Sequence, residues 1–204
     1  MQTKKRDGFT LIELLVVMAI IGLLAAILIP VISGALDSSR RTACLNNVKG
    51  ITGAFLSYAS DHKGRLPRAG SGAEYANLGQ IAVMLYKDGY LGDGKIWICP
   101  ADSGRTPCPG SSFESSFSTA ANCSFIYFSG YNTLKVDSMS KMPVVADRAT
   151  GGKTATLSDR DAHGAKCRNV GYLDGHAATL KDADSANAIV SMKELQDYDI
   201  DILD

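Results

Sequence analysis

A single carboxylate, Glu13, lies inside the run "FTLIELLVVMAIIGLLAAILI", where Thr10 is the only other clearly polar residue. An ionised acid in such surroundings costs a few kcal/mol even on permissive insertion scales, so it needs a compensating partner. Five cysteines carry the next chemistry: Cys44, Cys99, Cys108, Cys123 and Cys167. In an exported domain they permit two internal disulfides and leave one thiol over. Cys99 and Cys108 flank a loop holding Pro100 and Pro107, and closing a loop of that size stabilises by roughly 2–3 kcal/mol. Cys123 competes as a partner for either. Cys44 and Cys167 either pair across a helix–sheet interface or remain small buried thiols. No C-x(2)-C spacing occurs, so no zinc or other metal site is expected.

His163, Asp174 and His176 have the residue types of a metal or catalytic cluster. The structural reading is preferred, with Asp174-Gly175 as turn chemistry and His163 bonding a loop. Asp197, Asp199 and Asp201 would share one face of a strand, and hard oxygen ligands of that kind suit Ca²⁺. A solvated acidic tail is preferred there too, and no cofactor is assigned. No nucleophile elbow, phosphate loop or H-E-x-x-H motif is present, so no enzyme is expected. Lys plus Arg and Asp plus Glu are equal, at 21 each. Without a basic excess, no nucleic-acid partner is expected.

The elements that must position these groups begin with the apolar run. About 20 apolar residues in a helix cross the roughly 30 Å hydrocarbon core of a bilayer. Lys4, Lys5 and Arg6 precede the run, which puts the N-terminus on the cytoplasmic side and the C-terminal bulk outside. A cleaved secretory signal has a shorter apolar region followed by a polar cleavage site; here Ala25 and Ala26 are followed by Ile, Leu, Ile and Pro. A retained single-pass anchor in the inner membrane is expected. Past Pro30, Cys44, Val48, Ile51, Phe55 and Tyr58 repeat at helical spacing. One helix of about 50 residues, roughly 75 Å long, therefore runs from Phe9 to near Ser60. Pro30 should kink it or open it locally.

Asp61–Gly72 reads as a loop and Glu74–Tyr86 as a second helix, with Tyr75, Leu78, Ile81, Ala82 and Leu85 on one face. "KIWICP" reads as a short extended piece, and Ala101–Ala121 as a long loop. "CSFIYFSGY" and "MPVVAD" read as strands. "RNVGYL-DG-HAATLK" reads as a hairpin with a two-residue turn. Ser185–Gln196 reads as a last helix, and "DYDIDILD" as an edge strand or a frayed tail.

"KKRDG-FTLIELLVVMAIIGLLAAILIP" closely resembles the N-terminal segment of type IV prepilins and type II secretion pseudopilins. That resemblance implies an α+β pilin-like fold: a long N-terminal helix, half transmembrane and half packed on a small antiparallel-sheet head. It implies a leader over 1–8, a transmembrane half over 9–29, a head-packed half over 30–60 and an extracytoplasmic head over 61–204. It also implies cleavage between Gly8 and Phe9 by a prepilin peptidase, N-methylation of Phe9, and an assembly role for Glu13. The new Phe9 amine of one subunit would pair with Glu13 of the next, and a subunit out of register would leave a charge unpaired. The bland alternative has Glu13 snorkelling to the headgroups.

Expected partners are the peptidase, sibling pseudopilins in a homo- or hetero-oligomeric filament, and an inner-membrane assembly platform. "SRRTACLNNVKGITGAFLSYASDHKGRLP" and "WICPAD" are similar to one pseudopilin-like branch with an H-x(9)-D-G signature. His163, Asp174 and Gly175 match it with ten intervening residues instead. The readings kept beside the filament subunit are a minor tip subunit that binds cargo or polysaccharide, and an anchored periplasmic enzyme.

Overall fold

A computed structural model of the chain describes residues 10–67, 78–117, 119–129, 139, 142–148, 163, 167–181 and 201–203. By internal contacts the chain divides into two compact units, Met1–Ser39 and Arg40–Asp204. Helix α1, Leu11–Asp61, continues through Pro30. The missing proline N–H removes one hydrogen bond there, and the Ser33 hydroxyl donates to the Pro30 carbonyl at 2.9 Å.

The second half of α1 buries the stripe that its spacing predicts. Cys44, Val48, Ile51, Phe55 and Tyr58 are all buried, joined by Thr52, Ala54 and Ala59. Opposite them stands an antiparallel sheet of β1 (Phe125–Ser129), β2 (Pro143–Asp147), β3 (Cys167–Tyr172), β4 (Ala177–Lys181) and β5 (Asp201–Leu203). The strand order is β4-β3-β2-β1-β5, so β5 forms the edge beside β1. Phe55 of the helix stacks on Tyr127 of β1 with ring centroids 4.3 Å apart. The Tyr127 hydroxyl donates to the Pro67 carbonyl at 2.7 Å, which ties the chain beyond α1 to the sheet. This is the pilin-like α+β arrangement: a long N-terminal helix packed on an antiparallel sheet.

One close approach sets the helix–sheet spacing. A Cβ on Gly171 of β3 would stand 2.0 Å from the Thr52 hydroxyl oxygen and 3.1 Å from a Val48 methyl carbon. Only a residue without a side chain fits there. Helix α2, Leu78–Lys87, closes another side of the core with Leu78, Ile81, Ala82 and Leu85.

Three local expectations change. "KIWICP" is extended only in part: Gly94–Trp97 forms a 3-10 turn, which Asp93 caps by accepting from the Lys95 amide at 2.9 Å, and extended backbone begins at Ile98. Ala101–Ala121 contains a 3-10 turn, Gly110–Ser112, the short helix α3, Phe113–Ser116, and the start of α4, Thr119–Asn122. The β3–β4 connection is a three-residue loop rather than a two-residue turn. Tyr172 and His176 close it by a 2.9 Å backbone bond, and Gly175 takes the left-handed position at φ 90°. The extra residue is Leu173, which the loop sends into the core. The expected helix over Ser185–Gln196 lies outside the described residues.

Candidate functional site

The start of α1 answers first what holds Glu13. Thr10 immediately precedes the helix and Glu13 is its third residue. The Thr10 amide and hydroxyl donate to Glu13 Oε2 at 2.8 and 2.7 Å, and the Glu13 amide approaches the Thr10 hydroxyl oxygen at 3.3 Å. This is a capping box, in which threonine and glutamate satisfy each other's helix-end donors. The T-x-x-E spacing carries that signal in the sequence, and the reading of Glu13 as an isolated charge passed over it. Both bonds to the carboxylate fall on one oxygen. Along the rest of the helix, Leu11, Ile12, Leu14, Leu15 and the large apolar residues through Leu36 stay 45–81% exposed. The helix is long and apolar enough to cross a membrane.

A second constellation lies inside the unit Arg40–Asp204. Cys44 comes from the buried stripe of α1, Cys99 from the chain after the first 3-10 turn, Asp147 from the end of β2, and His163 from the segment before β3. The Asn47 side chain donates to the Ile98 carbonyl at 2.8 Å, holding the Cys99 segment against α1. Cys44 Sγ donates to Asp147 Oδ1 at 3.0 Å. His163 Nε2 lies 3.4 Å from Cys99 Sγ, 3.3 Å from Asn169 Nδ2 and 3.7 Å from Asp147 Oδ2. The Asn169 amide donates to Asp147 Oδ2 at 2.8 Å, and its side-chain oxygen accepts from Thr179 at 2.6 Å. Cys44, Cys99, Asp147, His163 and Asn169 are all buried.

Burial pushes the Asp147 carboxyl up to about 6, against the pull of the Asn169 amide and the Cys44 thiol. The bond from Cys44 lowers the Cys99 thiol, with His163 acting in the same direction, while burial opposes both. Cys44 shifts upward, through that same bond, burial and the Asp147 charge. Burial pulls the His163 imidazole down, but Cys99 and Asp147 outweigh it and raise the ring.

Residues 3–29 match the family described as the prokaryotic N-terminal methylation motif. The N-terminal segment carries the motif of the pilin N-methylation family. The chain is 37% identical over 62 residues to the type II secretion system core protein G of Pseudomonas aeruginosa, covering 30% of this chain and 44% of that protein. It is 42% identical over 71 residues to the fimbrial protein EcpC of Eikenella corrodens, covering 35% and 46%. The core protein G of Escherichia coli is 29% identical over 93 residues, covering 44% and 63%. The chain thus spans between 44% and 63% of these curated relatives, a distant homology. No solved structure matches it.

Gly8 and Phe9 lie outside the described residues, as do Asp197 and Asp199. Asp174 and His176 bond each other in the exposed β3–β4 loop. The contacts of His163 go instead to Cys99, Asn169 and Asp147, so the structure separates the signature-like residues into a buried histidine and a surface turn. Cys108 and Cys123 are buried thiols, with Cys108 Sγ 3.8 Å from the Ser112 carbonyl and Cys123 Sγ 3.3 Å from the Phe125 carbonyl. Cys167 is a buried thiol on β3. Sequence reading missed Asp147 and Asn169. The acid in "VVAD" ends a strand, and nothing local distinguishes it from an ordinary surface acid.

Proposed function

We propose that this chain is a structural subunit of a type II secretion or type IV pilus-like filament. In this reading a prepilin peptidase cuts after Gly8, Phe9 is N-methylated, and the apolar half of α1 leaves the membrane to pack among the helices of sibling subunits. The observation that carries the reading is the coincidence of the methylation motif with an apolar surface, Leu11 to Leu36, that is exposed among the described residues. Such a surface is buried either by lipid or by other helices. Pilin-like proteins are structural, and the chain's work here is assembly rather than catalysis.

Glu13 has two duties in this scheme. One carboxylate oxygen closes the capping box with Thr10, and the other accepts the Phe9 amine of a neighbour. Glutamine also completes a capping box, so the duties separate. Glu13→Gln should keep the helix start and membrane insertion yet reduce filament formation severely. Thr10→Val should weaken the cap, by about 0.5–2 kcal/mol, and still assemble. Filament recovery by shearing and sedimentation reads both; full assembly of Glu13→Gln would remove the pairing. Intact mass of the membrane-extracted protein tests processing, with loss of Met1–Gly8 and gain of one methyl group expected.

A further inference from the structure

We propose that Cys44, Cys99 and His163 bind zinc in the interior of the unit Arg40–Asp204, with the Asp147 carboxylate beside them. Cys44 Sγ, Cys99 Sγ and a His163 ring nitrogen all lie within 4.8 Å of one another. The Asp147 carboxylate adjoins this trio through its two oxygens, with Oδ1 3.0 Å from Cys44 Sγ and Oδ2 3.7 Å from His163 Nε2. Zinc bonded at about 2.3 Å to sulfur and 2.0 Å to nitrogen or oxygen holds tetrahedral donors roughly 3.3–3.8 Å apart. The Cys99–His163 separation of 3.4 Å is an edge of that size.

Burial makes the site more than a chance meeting of donors. Cys44 and Cys99 are 0% exposed, Asp147 5% and His163 8%. A carboxylate and an imidazole enclosed in an apolar core cost several kcal/mol unless charge and hydrogen bonds compensate them. A divalent cation compensates all four groups at once. A Cys44–Cys99 disulfide would use the two sulfurs and leave the acid and the ring enclosed. The outer shell is present too. The Asn169 backbone amide fixes Asp147, and the Asn169 side chain, held by Thr179, faces His163 Nε2 at 3.3 Å, a long contact that a metal can displace. The three donors and the neighbouring acid come from α1, the Cys99 segment, the segment before β3 and β2, so the ion would join the helix to the sheet. Cys99 and His163 are 64 positions apart along the chain, and Cys44 and Asp147 are 103 apart, so no short motif captures the set.

The proposal is independent of filament assembly and is tested on the full chain, purified in detergent without chelators. Elemental analysis should find about one zinc per chain. Cobalt(II) exchanged into the protein should give intense thiolate-to-metal absorption and the visible bands of a tetrahedral ion. Cys99→Ser and His163→Ala should abolish stoichiometric metal. Cys108→Ser, outside the site, should bind as wild type and control for the handling of thiols. Peptide mapping of the unreduced protein decides against the site if Cys44 and Cys99 are recovered as a disulfide. Two free thiols with no zinc and no cobalt spectrum overturn it equally. The wild-type spectrum is decisive even where a variant fails to fold.

Discussion

Asp102 shows how much a single side chain can hold at the surface of the core. Its carboxylate accepts from Arg105 at 2.6 Å, from the Ser124 hydroxyl at 2.8 Å and from the Gly104 amide at 3.0 Å. Burial pushes its pKa upward, but Arg105 and Ser124 outweigh that and leave it below the ordinary value of 3.8. The folded protein therefore binds this proton more weakly than the unfolded chain. The stabilisation is complete above the unfolded value and is lost as pH falls through the folded one. Asp102→Asn should cost about 1–3 kcal/mol near neutral pH. The variant and wild-type stabilities should converge as pH falls below the folded-state value. Denaturant midpoints across that range check it; a difference that persists in acid would mean packing, not charge, was lost. At this scale the sequence was partly legible. Glu13 stood out because a charge in an apolar run is conspicuous, and the cysteines because of their chemistry. Asp147 and Asn169 were not legible, because their partners arrive from other elements.

At the scale of elements, the periodic signals were the readable ones. The four-and-three spacing of Cys44 through Tyr58 marked the buried face of α1, and Leu78 through Leu85 that of α2. Both are long amphipathic patterns whose apolar side has one place to go. The Gly94–Trp97 turn and the Leu173 loop were misread because each is decided by one local bond or one buried side chain. Gly171 was equally silent. In a strand pattern it is only a weak residue, yet the helix passes so close that any Cβ would strike Thr52. Gly171→Ala should push α1 from β3 and destabilise the chain by about 1–3 kcal/mol, the usual range for overpacking. Adding Thr52→Ala removes the struck hydroxyl and should recover part of that loss. Thermal unfolding of the two single variants and the double variant reads the coupling; strict additivity would show that the two sites do not meet.

Over the whole molecule, burial is divided unevenly along the chain. The described residues from Thr10 to Arg40 contribute no buried side chain, whereas the buried stripe of α1 begins at Cys44. The boundary between the two compact units, after Ser39, falls in that gap. Stability of a globular unit comes chiefly from apolar surface it removes from water, and the buried core of the unit Arg40–Asp204 is drawn from its own residues. A chain beginning at Arg40 should lose membrane association and filament entry. It should keep a cooperative thermal transition, with its midpoint within a few degrees of the full-length protein in mild detergent. The small loss comes from cutting a helix and exposing new unpaired amides at its end. Far-UV circular dichroism against temperature measures this, with sedimentation velocity reporting a monomer. A broad, non-cooperative melt would mean that the apolar half of α1 supports the core after all, and that its exposure is not simply the surface offered to lipid or to sibling helices.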